Sequence, residues 1–464
     1  MKRPIVMMAA GCALMMAVPV AAAAQGFSVN EHGTCAMARG GTGVASPCPD
    51  GSTINFNPSG IAGITGGVIG AGVTVIQAKG SFTDDLFGNT DDLQNSAIPV
   101  PHLYMAYGIN DKLAAGFGFF VPYGLGTKWE NTFEGRFNGY DNDLQSMYFQ
   151  PTLAYKLHDK IKIGAGFDYV VASVKLTQRV DLSVVPAPAP APAGLDLGNF
   201  GVPFHTDFAN VALEATGATG IGGNFGITIE PVDGFSFGAR YMTRVTLDYE
   251  GEADFEAVPT GLTLAAENPF GVPGETPVDL LVANQFAPDS QLGDQGVQTR
   301  ITMPDQATIG VAIDVSPALK FLVDYHWMHW SVFDTLPLTF ENQTEQRIVV
   351  EEYEDTHGIR LGLDWDNGGM LAVRGGYIYH NGAAPSQTVT PLLPEGTRNE
   401  FTGGFGLRLT DMFTADFAYQ YIAQNDRRGR VREPIGNSPP TEALNSGLYT
   451  FYAHLFGATL SVHF

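Results

Sequence analysis

Charged side chains at alternate positions of apolar segments are the residues best suited to chemistry in this chain. Five are arginines and five are aspartates: Arg240, Arg244, Arg360, Arg374, Arg408, Asp168, Asp314, Asp324, Asp364 and Asp416. A guanidinium binds a carboxylate through parallel hydrogen bonds, so these side chains could pair with one another inside the protein. The alternative is that one or two arginines bind the head group of an anionic ligand, and we predict this role for Arg240 and Arg374.

The histidines and serines do not suggest a metal or catalytic site. His326 and His329 are three residues apart, and on a strand this spacing places them on opposite faces. Trp327 and Trp330 alongside them indicate an aromatic girdle at a membrane interface. A catalytic serine and histidine would have to lie on one face of the barrel wall at the same level, and the sequence indicates no such pair. The sequence therefore predicts no metal, no cofactor and no enzyme activity.

Residues 1–24 have the order of a secretion signal. Lys2 and Arg3 precede an apolar run, and small residues follow it up to Ala24. We predict cleavage after Ala24, which leaves Cys35 and Cys48 as a pair in an oxidising compartment. A disulfide bond between them is the favoured interpretation, and two separate buried thiols are the alternative.

The composition excludes several classes of protein. The chain has 464 residues and a net charge of −23, and such acidity argues against binding of nucleic acid. After the signal there is no apolar run of the length that a membrane-spanning helix needs. Gly and Phe are abundant, with 56 and 30 residues, whereas charged residues make up 16%. This composition suits strands that pack closely and face lipid.

Apolar residues alternate with other residues along most of the chain after residue 66, which is the pattern of strands with two different faces. The last strand shows it most clearly, with an apolar face that ends at the terminal Phe464. Fourteen such segments can be counted: 67–77, 101–109, 113–122, 147–157, 161–174, 220–229, 235–247, 301–315, 319–327, 357–365, 370–379, 401–409, 412–422 and 449–464.

Short and long connections alternate between these segments. An even strand number with short turns on one side and long loops on the other is typical of outer-membrane barrels. We therefore predict an all-β fold, a 14-stranded antiparallel transmembrane β-barrel over residues 67–464, in the outer membrane of a Gram-negative bacterium. The two longest loops are 175–219 and 248–300.

Residues 25–66 alternate poorly and are rich in glycine. A compact segment before a barrel could be an N-terminal hatch that plugs the lumen. A disordered periplasmic tail is the alternative. The predicted disulfide favours the hatch, because a tail gains nothing from a covalent bridge.

Several motifs occur in the same order as in a known family. The first motif is residues 52–60, which contain Asn57, Pro58 and Ser59. The later motifs are residues 150–155, 303–305, 327–333 and 390–398. Together they resemble the FadL/TodX family of outer-membrane transporters for long-chain fatty acids and other hydrophobic compounds. The family has Ala where this chain has Ser59, which leaves the Asn-Pro turn intact.

The resemblance implies capture of a hydrophobic ligand by the two longest loops and transfer to an apolar pocket beside the mature N-terminus. Phe27 and Phe120 would then contact the ligand together with the two predicted arginines. Movement of a hatch centred on Asn57, Pro58 and Ser59 would open the route. A kink in the third strand, which carries Gly116 and Gly118, would give a sideways opening to the bilayer, although packing of these glycines against the plug explains them equally well.

Other functions are left open by the sequence. An aromatic-hydrocarbon channel fits the same family, and an outer-membrane lipase, a diffusion porin or an adhesin would use a similar barrel. The expected partners are a long-chain fatty acid or other hydrophobic small molecule, outer-membrane lipid with lipopolysaccharide, and the barrel-assembly machinery, which reads a terminal aromatic strand. We expect a monomer.

Overall fold

The computed structural model describes residues 26–85, 87–429 and 446–464, so the predicted signal peptide (1–24) lies outside the described residues. The strands are β1 Gly67–Asp84, β2 Thr90–Asp92, β3 Ile98–Gly108, β4 Leu113–Lys128, β5 Asp141–His158, β6 Ile161–Asp181, β7 Asp207–Val232, β8 Phe235–Met242, β9 Val245–Ala257, β10 Gln295–Met303, β11 Gln306–Ser316, β12 Leu319–Met328, β13 Thr335–Phe340, β14 Arg347–Val350, β15 Thr356–Asp366, β16 Leu371–His380, β17 Arg398–Arg408, β18 Phe413–Gln424, β19 Arg427–Gly429 and β20 Gly447–His463.

The helices of the described residues are short. The α-helices are α1 Thr34–Ala38, α2 Thr53–Phe56 and α3 Asp279–Val282. The 3₁₀-helices are Pro58–Ile61, Glu134–Phe137, Leu182–Val184, Leu197–Phe200, Ala283–Phe286 and Trp330–Val332. In this part of the chain, no helix combines the length and the apolar character needed to cross a membrane.

The strands form one antiparallel sheet that closes on itself. β8 with β9, and β10 with β11, each make one crossing that is interrupted by two residues. The other twelve crossings are β1, β3, β4, β5, β6, β7, β12, β15, β16, β17, β18 and β20. β20 closes the barrel against β1, in register from Val68↔His463 to Asp84↔Gly447. The predicted 14-stranded antiparallel barrel is thus confirmed for the described residues.

The outward face of the wall is apolar because every second side chain points away from the lumen. Ile221, Leu153 and Phe401 are 67%, 58% and 54% exposed, although soluble proteins bury such residues. They form the lipid-facing band expected of a transmembrane barrel.

Several strands are longer than predicted, since β5 begins at residue 141 and β7 at residue 207. The two interruptions, at 243–244 and 304–305, lie side by side in the wall, because Met303 pairs with Val245. Beyond them the outward face carries polar residues such as Asp248 and Arg300, whose side chains lie 2.5 Å apart. These strand ends extend past the apolar band, and the alternation of apolar residues on which the prediction depended is lost there.

Residues 26–66, called here the N-terminal segment, lie inside the barrel. Cys35 and Cys48 are joined by a disulfide bond with their Cα atoms 6.1 Å apart. Wall glycines allow the segment to approach closely: a Cβ atom at Gly164 would lie 2.3 Å from Pro58. The segment therefore fits against a wall that larger side chains would obstruct.

The long outer loops form a small core of their own. Buried residues from both of the longest loops pack together there: Leu182, Leu197, Phe208, Ala209, Phe270, Val278 and Val282. This packing gives the outer surface of the barrel a defined shape.

Candidate ligand-binding site

The first residues of the N-terminal segment pair with the edge of β4. The amide of Val29 donates to the carbonyl of Pro122 at 2.8 Å, and the amide of Gly124 donates to the carbonyl of Phe27 at 3.0 Å. These bonds form beside the point where the β4–β5 register shifts, between Phe120 and Tyr123. A bulge in β4 thus provides the backbone groups that hold Phe27 in place.

Phe27 is surrounded by aromatic rings. Its ring centroid lies 4.6 Å from that of Trp330, 5.5 Å from Phe333 and 6.4 Å from Tyr123. Gly26 must be glycine for this arrangement, because its φ is +58° and a Cβ atom would lie 2.6 Å from the Trp330 ring. The 327–333 motif therefore forms part of the socket for Phe27.

A cavity of about 160 Å³ lies beside this socket. Its apolar lining comes from the N-terminal segment and six strands: Phe27, Val29, Ile76, Ala78, Val100, Val121, Leu125, Leu144, Ile422, Phe451, Ala453 and Leu455. Its charged lining includes Arg398, Glu31 and Glu400. Gln420 donates to both glutamates, at 2.8 and 2.7 Å. We call this the inner cavity.

The inner cavity reaches a gap in the barrel wall. The pairing of β3 with β4 covers only Leu103↔Phe119 to Gly108↔Ala114. Beyond it, the cavity is lined by Pro99 and Pro101 on one side. Both prolines are exposed on the outward face of β3, so the cavity opens towards the lipid.

A second cavity of about 330 Å³, called here the outer cavity, lies among the outer loops. Its lining is largely apolar and includes Leu176, Leu213, Leu338 and Leu392. Arg347 and Glu351 also line it. Burial raises the pKa of Glu351 to about 8, so this carboxyl group is mostly protonated at neutral pH.

Arg374 lies away from the inner cavity. Its guanidinium is 2.5 Å from Asp416 and 3.2 Å from Asp364, and Asp364 also pairs with Arg39 of the N-terminal segment at 2.9 Å. The cluster fits above Gly406, where a Cβ atom would lie 2.6 Å from Asp416. Lumen ion pairs, rather than a free head-group site, are thus what the structure shows at this arginine.

Arg240 also lies outside the lining of the inner cavity. It donates to the side-chain oxygens of Asn224, Gln306 and Asn55 at 3.0, 2.8 and 3.4 Å. Within the described residues it forms no ion pair. Its contact with Asn55 makes it a support for the N-terminal segment.

Phe120 is fully buried and lies next to the cavity without lining it. Its ring stacks between Tyr104 and Tyr148, with centroid distances of 6.2 and 5.8 Å. The ring of His32 lies 5.7 Å away, and burial lowers the pKa of His32 to about 3. His32 is therefore neutral, and its Nε2–H donates to the carbonyl of Val29 at 2.8 Å.

Gly116 and Gly118 do not lie at the gap. Both belong to the paired part of the β3–β4 ladder, opposite Ala106 and Tyr104. A Cβ atom at either glycine would lie 2.7 or 2.9 Å from Ile54 of the N-terminal segment. They make room for that segment, and the β3–β4 ladder to which they belong ends at Leu103↔Phe119.

Asn57 and Ser59 fix the N-terminal segment to β7. The Asn57 side chain donates to Val44 O at 2.6 Å and to Ile227 O at 3.0 Å, and it accepts from Ser59 N at 3.1 Å. The Ser59 hydroxyl lies 2.7 Å from both Asn57 Oδ1 and Thr228 Oγ1. The hydroxyl of Ser59 thus adds a contact to the wall.

Glu395 is a residue for which the sequence predicted no role. Its carboxylate is fully buried and accepts from the amides of Gly26 and Ala383 at 2.7 Å each and from that of Ala384 at 2.5 Å. It thus ties the start of the N-terminal segment to the loop before β17. Its place in the 390–398 motif was the signal that could have identified it.

A closed barrel with an internal segment, an apolar cavity and an opening in its wall defines a class of outer-membrane transport protein. Residues 15–464 match the family described as "Outer membrane protein transport protein (OMPP1/FadL/TodX)". The chain belongs to this family, whose members are transport proteins of the outer membrane, and this confirms the predicted location.

Individual relatives are distant in sequence. The chain is 21% identical to outer membrane protein P1 of Haemophilus influenzae, over 95% of both chains. It is 23% identical to the long-chain fatty acid transport protein of Escherichia coli O6:H1, over 86% of both chains. The crystal structure of a Pseudomonas aeruginosa FadL homologue shares the fold, with a TM-score of 0.79, 19% identity and coverage of 95% of this chain and 100% of that one.

Proposed function

We propose that this protein transports long-chain fatty acids or similar hydrophobic compounds and releases them sideways into the bilayer. The observation that carries the proposal is the apolar inner cavity, which extends from Phe27 to the lipid-facing gap beside Pro99 and Pro101. The name of the Escherichia coli relative points to the same kind of ligand. A transport role of this kind needs no catalytic residue, and we propose none.

The ligand would first enter the outer cavity and then pass to the inner cavity. Each methylene removed from water contributes about 0.8 kcal/mol, so a long acyl chain favours both apolar cavities over the aqueous phase. Arg347 forms no ion pair within the described residues, and we assign it the first contact with a carboxylate. An anion is tolerated there because Glu351, which also lines the outer cavity, is mostly neutral.

In the inner cavity we assign the head group to Arg398 rather than to Arg240 or Arg374. Arg398 lines the cavity and lies over the ring of Phe451, 5.4 Å from its centroid. Its Nε has only a long bond, 3.4 Å, to Gln424. Phe27 would contact the acyl chain, and Phe120 would support the wall behind it.

We propose that the N-terminal segment is a hatch, with 25–66 as one unit and 67–464 as the barrel. The bonds of Phe27 and Val29 to β4 lie beside the gap, so movement of these residues would widen the route to the lipid. Asn57, Pro58 and Ser59 would anchor the hatch to β7 during this movement.

A small aromatic hydrocarbon is a second candidate ligand. The volume of the inner cavity, about 160 Å³, is close to that of an engineered cavity of about 150 Å³ that binds benzene. Glu31 in the lining also favours an uncharged compound over an anion.

Uptake of labelled compounds tests the proposed function. Cells or liposomes that contain the protein should take up fluorescent fatty acid faster than those without it, and labelled toluene is the parallel probe. Uptake of toluene alone would favour the second candidate. Passage of small sugars with no uptake of either hydrophobic probe would contradict both.

A pH dependence should follow from Glu351. Since its pKa is about 8, it gains negative charge between pH 7 and pH 9, and affinity for a fatty acid should fall by roughly three- to tenfold. The Glu351→Gln variant should lose this dependence. Equilibrium titration with fluorescent fatty acid measures both, and a neutral aromatic probe should show no change with pH.

We also propose three partners for the protein as a whole. The apolar outer band would contact membrane lipid, and the polar strand ends above it would contact lipopolysaccharide. The terminal strand that ends at Phe464 would be read by the barrel-assembly machinery. With the barrel closed by β1 and β20, we expect the protein to function as a monomer.

A further inference from the structure

Residues 390–394 lie between the two cavities, and we call them the strap. Leu392 lines the outer cavity, and its neighbour Leu393 lines the inner cavity. The strap is a tight turn, with the amide of Leu393 donating to the carbonyl of Thr390 at 3.2 Å. Two adjacent leucines thus face the two different cavities.

Side chains at the upper end of β4 and directly after it hold the strap through its carbonyl groups. Thr127 Oγ1 donates to Leu392 O at 2.9 Å, and Trp129 Nε1 donates to Pro391 O at 3.0 Å. Asn142 in turn donates to Thr127 Oγ1 at 3.3 Å. These contacts belong to side chains, so they can break while the β4–β5 ladder stays intact.

The strap packs closely on the β4–β5 connection. A Cβ atom at Gly135 would lie 2.6 Å from Pro391, and one at Gly139 would lie 2.3 Å from Leu392. On the other side Gln424 donates to Pro394 O at 2.7 Å. The strap is therefore held from both sides.

We propose that the strap is a gate between the outer and inner cavities, opened when Thr127 and Trp129 release its carbonyl groups. The inference rests on the proposed function, because it requires one ligand to use both cavities. Residues 390–394 belong to the 390–398 motif, and the proposed gate gives this part of the motif a function in transport. Leu393 is then the residue whose size sets the rate of transfer.

Stopped-flow binding of fluorescent fatty acid to the purified full-length protein tests the gate. The native protein should show two phases. Capture of the ligand gives a fast phase whose rate rises with ligand concentration, and transfer between the cavities gives a slow phase whose rate does not depend on ligand concentration. Loss of two hydrogen bonds in the Thr127→Val, Trp129→Phe double variant should speed the slow phase about tenfold. Leu393→Trp should slow it, and neither variant should change the fast phase.

Thr299→Val is the matched control, because Thr299 Oγ1 also donates to a proline carbonyl, Pro337 O at 2.7 Å, away from the strap. It should leave both phases unchanged. If the double variant does not fold, Leu393→Ala tests the same step and should speed the slow phase. A slow phase that is absent in the native protein, or unaltered in folded variants, would overturn the gate, whereas absence of all binding would instead count against the proposed function.

Discussion

Replacing Asn57 with alanine is expected to release the N-terminal segment while the barrel stays folded. Asn57 donates to Val44 O and Ile227 O and accepts from Ser59 N. All three partners are buried or partly buried, and each polar group left unpaired costs about 1–3 kcal/mol. Docking of the segment should therefore weaken by roughly 3–5 kcal/mol, and uptake of fluorescent fatty acid should change.

Two measurements separate release from unfolding. Protease should cleave the N-terminal segment of the variant faster than that of the native protein, while unheated electrophoresis should still show a folded barrel. Asn367→Ala is the control, since within the described residues the Asn367 side chain accepts only from Gly369 N, in an exposed turn. Native rates of proteolysis and uptake in Asn57→Ala would contradict the hatch assignment.

The Glu395→Ala variant should lose most of its affinity for the ligand. Three backbone amides, including that of Gly26, would lose their buried acceptor. Phe27 would then leave its socket, and we expect affinity to fall about 100-fold, the equivalent of about 3 kcal/mol. Glu395→Gln keeps an acceptor oxygen and should show a smaller loss.

Titration with fluorescent fatty acid measures the affinity, and tryptophan emission reports whether Phe27 stays in its socket. Trp330 packs on Gly26 and Phe27, so its emission should shift to longer wavelength when the two residues leave. Glu341→Ala serves as control, because Glu341 is exposed and bonds a single amide, that of Gly296. Unchanged emission together with native affinity in Glu395→Ala would show that Glu395 does not hold the socket.

The number of strands could be predicted because lipid imposes a strict alternation on the outward face. Above the apolar band that constraint ends, and the sequence did not reveal that β7 begins at residue 207 rather than near 220. The interruption before Val245 could not be predicted either, because it also lies where the alternation ends. Pro304 signals the other interruption, although the alternation predicts a single strand over 301–315.

Candidate site residues were harder to predict, because alternation gives the face of a residue but not its height or neighbours. Arg374 and Arg398 both point into the lumen, yet only the three-dimensional register places Asp416 beside the first and the cavity beside the second. Gly116 and Gly118 pose the same problem. Their position on a strand does not indicate that Ile54 packs against them.

The gap beside β4 leaves a short length of unpaired strand edge within a barrel that is otherwise closed. An exposed edge can recruit a strand from another chain and so begin aggregation, a hazard that closure normally removes. Here Pro99 and Pro101 offer no N–H groups to an incoming strand, and the N-terminal segment occupies Pro122 and Gly124 from within. The gap can thus serve the proposed release of a ligand to the lipid while it resists the addition of foreign β-structure.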